Sequence, residues 1–216
     1  MLIEVVMKNE TQKYKRVFHL SNPADLFKKL DWEIDNLRDV MASQPKQLPL
    51  NHEVAAYHAF NSVVTAWHLT DWVWTSLSDQ EQNKLAEELG FEISNNSQKN
   101  LGSFQKAIRS KSGVLKICWE IANGSKHLEN HKNSEIDAQV NLHSKIATAS
   151  EFRAGHPLQT FTFDFVVLIG NKEFKILDIL EGSKEFWLQL LFKLGFLKDI
   201  YAKIEFKIEK TNSGVK

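Results

Sequence analysis

Residues 54–74, VAAYHAFNSVVTAWHLTDWVW, are apolar on almost every side of a helix. A helix without a broad polar face sits at the centre of a fold and needs other helices around it. A helix from about Asn51 to Leu77 at the middle of a helical core is therefore the first expectation. It carries one narrow polar stripe. At about 100° per residue, His58, Asn61, Thr65, His68 and Trp72 fall within roughly 80° of one another. Asp71 lies about 60° to the side of His68 and within side-chain reach of it. Polar groups in a core cost free energy unless partnered. The stripe therefore either bonds neighbouring backbone, with Asp71 orienting His68, or lines a cleft that does chemistry.

The rest of the chain reads as α+β. Leu2 to Met7 and Tyr14 to Leu20 are β-rich runs around KNETQ, an opening hairpin. Ser21-Asn22-Pro23 is a helix start, and Leu26, Leu30, Ile34, Leu37 and Met41 recur at helical spacing to about Ser43. SQPKQLP is a connector. SDQE at Ser78 opens a short charged helix ending at Gly90. After the polar loop FEISNNSQKN, helices are expected over about Leu101–Ser110 and Gly113–Leu128. Alternation then marks strands at Ile136–Ile146 and around Phe161–Val167. A Gly170-Asn171 turn leads into a third strand at Glu173–Ile179. A helix over Ser183–Ala202 and a Lys/Glu-rich tail close the chain. This gives a single domain over 1–216: a core of about five helices at 21–130, antiparallel strands at 131–180, a C-terminal helix at 181–203 and a tail at 204–216.

Composition sets the outer limits. Lys+Arg and Asp+Glu are both 27, so there is no global basic field of the kind strong nucleic-acid binders carry. The single Cys118 rules out an intrachain disulfide and any thiolate-rich zinc site, which fits a reducing cytoplasm. Cys118 falls on a predicted apolar face, so it reads as core. MLIEVVMKNE lacks the marks of a signal peptide, and no uncharged apolar run is long enough to span a bilayer. A soluble cytoplasmic protein with no membrane partner is expected. No Walker loop, GxGxxG, GxSxG elbow or HExxH occurs.

A second polar run, CWEIANGSKH at 118–127, follows. Lys116, Glu120, Asn123 and His127 align within about 60°, opposite Leu115, Ile117, Cys118, Ile121 and Ala122. An ordinary surface helix has this pattern too. Asn123-Gly124-Ser125 is nevertheless a poor helical run directly before Lys126-His127, and Trp119 puts a large aromatic at the polar edge. Upstream, Arg109 and Lys111 lead into the start of this helix, where free N–H groups and the dipole favour an anion.

Paired, the two helices would bring His58, His68 and Asp71 towards Asn123, Lys126 and His127. The polar-striped helix and the later ANGSKH are similar to the HEPN group of small helical proteins, many of them RNases of toxin and phage-defence systems with an R-N-x-x-x-H motif. Asn123 and His127 match its asparagine and histidine, and Ala122 stands where its arginine would be. The phrases TAWHLTDW and ANGSKH also resemble uncharacterised bacterial and phage proteins.

The HEPN resemblance implies metal-independent processing of RNA or a nucleotide, no cofactor, and a homodimer with the site at its interface. In that scheme His127 is the general acid or base, and His68, oriented by Asp71, is the second. Asn123 and Lys126 hold the phosphate. Arg109, Lys111, His58 and Asn61 bind substrate, and Trp72 or Trp119 stacks a base. Losing the arginine removes a group tied to phosphate binding, unless Lys126 or Arg109 replaces it. Two rivals stay open. One is a metal-dependent hydrolase using His68, Asp71, Glu120, His127 and His131. The other is a non-enzymatic module that binds a protein or nucleotide partner.

Overall fold

A computed structural model describes residues 20–42, 48–124, 136–146, 148–155 and 159–197. Helix α1 spans Pro23–Ala42, α2 Leu48–Ser76, α3 Asp79–Leu89, α4 Ser97–Lys111 and α5 Gly113–Gly124. Strand β1 (Ile136–Ile146), the short α6 (Ala149–Arg153), strands β2 (Gln159–Ile169) and β3 (Lys172–Lys175), and α7 (Ile176–Lys193) complete the order. The expected α+β class holds: most described elements are helices, and one three-stranded antiparallel sheet accompanies them. The expected hairpin before Leu20 and the tail after Tyr201 lie outside the described residues.

Helix α2 is the central element, packed by α1, α4, α5 and α7. Ala55, Ala59, Ser62 and Ala66 are all buried on it at spacings of four and three. Small residues at that spacing let neighbours approach the helix backbone closely. The buried Trp187 of α7 uses this opening, its indole N–H donating to the Ala66 carbonyl at 2.8 Å. Helix α1 runs antiparallel to α2 and buries Leu30, Ile34 and Leu37 completely. Gly182 of α7 lies against α5, where a Cβ would stand 3.3 Å from a methyl of Val114.

Local sequence sets the helix ends. Asn22 caps α1, its Oδ1 accepting the Asp25 N–H at 3.0 Å, with Pro23 at the first position. Ser78 and Glu81 form the expected reciprocal box at α3, which stops at Gly90 with φ 79°. Helix α2 begins earlier than expected, at Leu48, because Pro49 falls in the first turn, where its missing N–H costs nothing. Helix α4 also begins earlier, at Ser97, because Asn96 caps it by accepting from the Lys99 N–H at 3.1 Å.

The sheet order is β1-β2-β3, with Val140 opposite Phe165 and Leu142 opposite Phe163. Phe163, Phe165 and Val167 are buried on β2, as the alternation expects. The third strand is shorter than expected. It ends at Lys175, and α7 starts at once, seven residues before the expected Ser183. The reason lies in burial: Ile176, Ile179, Leu180, Ser183, Trp187 and Leu191 form one buried helical face.

Candidate functional site

The polar stripe of α2 divides among three surroundings. Thr65 is buried at the α1 seam, where its hydroxyl accepts from Lys29 Nζ at 2.7 Å. Lys29 also pairs with the buried Glu33, so Thr65 is a structural member of the stripe. His58 is half-buried, its ring edge-on to Trp32 with centroids 6.2 Å apart. Asn61 and His68 are exposed, and Trp72 is half-buried. The His68 side chain makes no hydrogen bond among the described residues.

Asp71 turns towards α4, and the expected hydrogen bond that would orient His68 is not made among the described residues. Its Oδ1 accepts from Gln105 Nε2 at 3.1 Å, and the same amide reaches the Thr70 hydroxyl at 3.3 Å. One turn further along α4, Arg109 Nε donates to the Gln105 carbonyl at 3.4 Å. The Arg109 guanidinium then sits over the Trp119 ring of α5, its Cζ 3.8 Å from the ring centroid. Trp67 of α2 meets the same indole edge-on at 6.5 Å. Asp71, Gln105, Arg109 and Trp119 thus form a continuous chain across α2, α4 and α5.

Electrostatics leave Arg109 unusual for a surface arginine. Burial lowers its pKa from the ordinary value, and the nearby Glu120 works in the opposite direction. Glu120 itself lies 3.9 Å from Lys116. The two terminal amino groups of Arg109 carry no hydrogen bond among the described residues. A planar cation held by stacking, with its fork unfilled, is suited to a phosphate or carboxylate.

The expected anion site at the start of α5 takes a different form. Ser112 is buried and caps that end, its Oγ accepting from the Leu115 N–H at 3.3 Å. Lys111 is exposed, and Arg109 reaches two turns along α5 rather than staying at the helix start. Asn123 is half-buried, one turn beyond Trp119 and so on the same side of α5. Ala122 is buried in the core, so a side chain at that position points away from Asn123's surroundings. Lys126, His127 and His131 lie outside the described residues.

Gln105, Lys29 and Glu33 were not singled out by sequence reasoning. For Gln105 a signal existed, since it sits four residues before Arg109 on one helix face. Among the described residues no three His, Cys, Asp or Glu side chains are grouped to hold a metal ion, and no helix is long and apolar enough to cross a membrane. No protein-family model matches this chain, and no curated protein or solved structure does either.

Proposed function

We propose that this chain is a HEPN-like RNA- or nucleotide-processing protein of the bacterial or phage defence or toxin type. The observation that carries the reading is Arg109 over the Trp119 ring, its terminal amino groups without a hydrogen bond among the described residues, on the side of α5 where Asn123 follows one turn later. The motif it resembles has its cation beside the asparagine, where this chain has the buried Ala122. Arg109 supplies that charge from the neighbouring helix and grips a phosphate. Asn123 helps to hold the phosphate, Trp119 backs the guanidinium, and His127 acts as general acid or base at the ribose 2′-OH or the leaving oxygen.

The test is cleavage of a panel of single-stranded RNAs by the full chain and by His127→Ala. Cleavage by the parent that falls about a hundredfold or more in the variant supports the reading, in line with general acid–base contributions. A parent chain that neither cleaves nor binds RNA or nucleotides overturns it.

A second reading, a non-enzymatic binding or accessory module, draws on the burial of Ala122. It predicts RNA or partner binding that depends on Arg109, with no turnover.

A further inference from the structure

The chain of contacts from Arg109 to Gln105 and Asp71 continues one turn further, into a separate cleft. Leu101 of α4 lies four residues before Gln105, and Thr75 of α2 lies four residues after Asp71. Both line a cavity of about 550 Å³ where α2 ends and where α3 and α4 begin. That size is typical of small-molecule sites. From Arg109 to Leu101 the distance along α4 is about 12 Å, within reach of a short single strand.

The lining is chemically unlike the Arg109 end. Among the described residues no Lys, Arg or His lines it, and Asp79 is the one charged residue there. Thr75, Ser97 and Gln98 contribute neutral hydrogen-bonding groups, the buried Asn100 amide is engaged with Ser94, and Ile93 and Leu101 add apolar surface. Such a wall repels a phosphate but suits the edge of a base.

The acceptors on α3 stand together. Gln82 spends its amide N–H on the Trp74 carbonyl at 2.9 Å, and Asn83 spends its own on the Asp79 carbonyl at 2.7 Å. The amide oxygens of both remain, and the Asp79 carboxylate makes no hydrogen bond among the described residues. All three stand on one face of α3, at positions i, i+3 and i+4.

We infer that this cleft holds a nucleobase of the RNA whose phosphate sits on Arg109, and that it prefers guanine. Guanine presents N1–H and N2–H side by side, which a carboxylate accepts as a pair. Uracil offers a single N–H, so it makes one bond to the Asp79 carboxylate where guanine makes two. The inference rests on the RNA reading above, yet it makes a claim that phosphate-free ligands can test.

The experiment titrates the isotope-labelled full chain with guanosine, adenosine, cytidine and uridine, following backbone amide shifts. Shifts confined to the end of α2 and the starts of α3 and α4, with guanosine bound at least about tenfold tighter than uridine, are expected. Asp79→Asn should remove that preference, and its exposed position keeps the fold intact. Four nucleosides that bind equally, or none that moves these amides, overturn the inference. If that happens while RNA binding still depends on Arg109, the RNA reading stands and only the base site falls. Guanosine held in the cleft by a chain inert to RNA supports the site and removes the RNA reading.

Discussion

The indole N–H of Trp187 donates to the Ala66 carbonyl at 2.8 Å, tying α7 to the middle of the central helix. Trp187 is fully buried, so its N–H has no access to water as an alternative partner. Trp187→Phe removes the donor and leaves a small void. The expected loss is about 1–3 kcal/mol, and Trp187→Ala should cost about 3–5 kcal/mol. Urea unfolding checks both, and equal midpoints for Trp187→Phe and parent would show the bond contributes nothing.

Lys29 joins α1 to α2 through Thr65 and neutralises Glu33, whose side chain is only 4% exposed. The second carboxylate oxygen of Glu33 is buried without a hydrogen bond among the described residues. Lys29→Met therefore strands a buried charge and should destabilise the fold by about 1–3 kcal/mol. Replacing both residues, Lys29→Met with Glu33→Leu, should recover most of that loss. A thermal-melt series of the parent, both single variants and the double variant measures it, and purely additive losses would contradict the coupling.

The sequence patterns that proved legible are those with a local cause. The SDQE box at Ser78 is read from four residues, because cap and helix lie side by side in the chain. Thr148 and Glu151 repeat that device at α6, bonding each other's N–H groups at 2.8 and 3.3 Å, a short helix that the expected run of strands over 131–180 did not include. The start of α7 was hidden for a physical reason. Its cap position is Lys175, whose side chain makes no capping bond, and Phe174 and Ile176 continue the alternation of a strand. At the candidate site, the polar stripe of α2 and the Arg109 and Trp119 choices were visible one by one. What joined them was not. The reach of Arg109 to Trp119, and of Gln105 to Asp71, depends on how α4 crosses α2 and α5, which periodicity does not encode.

Cys118 should make stability fall at high pH. Burial is the main cause that pushes its thiol up to about 11 from 9.0, and the Ser183 hydroxyl, 3.4 Å away, opposes it only in part. Between those values the unfolded chain releases the proton while the folded chain keeps it. The unfolded state is therefore favoured increasingly from about pH 9 to about pH 11. The full effect is roughly 2–3 kcal/mol. Unfolding free energies of the parent and Cys118→Ala across that range should converge as pH rises, and parallel curves would show an ordinary thiol.

Arg109 should account for about one phosphate contact when the chain binds a single-stranded RNA. Its guanidinium is held by Trp119 at 3.8 Å, with no hydrogen bond to the terminal amino groups among the described residues, so binding an anion requires little reordering. Neutralising it with Arg109→Gln should weaken binding and flatten the plot of log affinity against log salt by about 0.7. Arg109→Lys keeps the charge but loses the planar stack and fork, so it should restore the slope while leaving affinity below the parent. Trp119→Ala should lower affinity with the slope kept, because the charge remains but is no longer positioned. Fluorescence anisotropy with a labelled oligonucleotide at several salt concentrations separates these cases. An unchanged slope in Arg109→Gln would place the phosphate contact elsewhere on the chain.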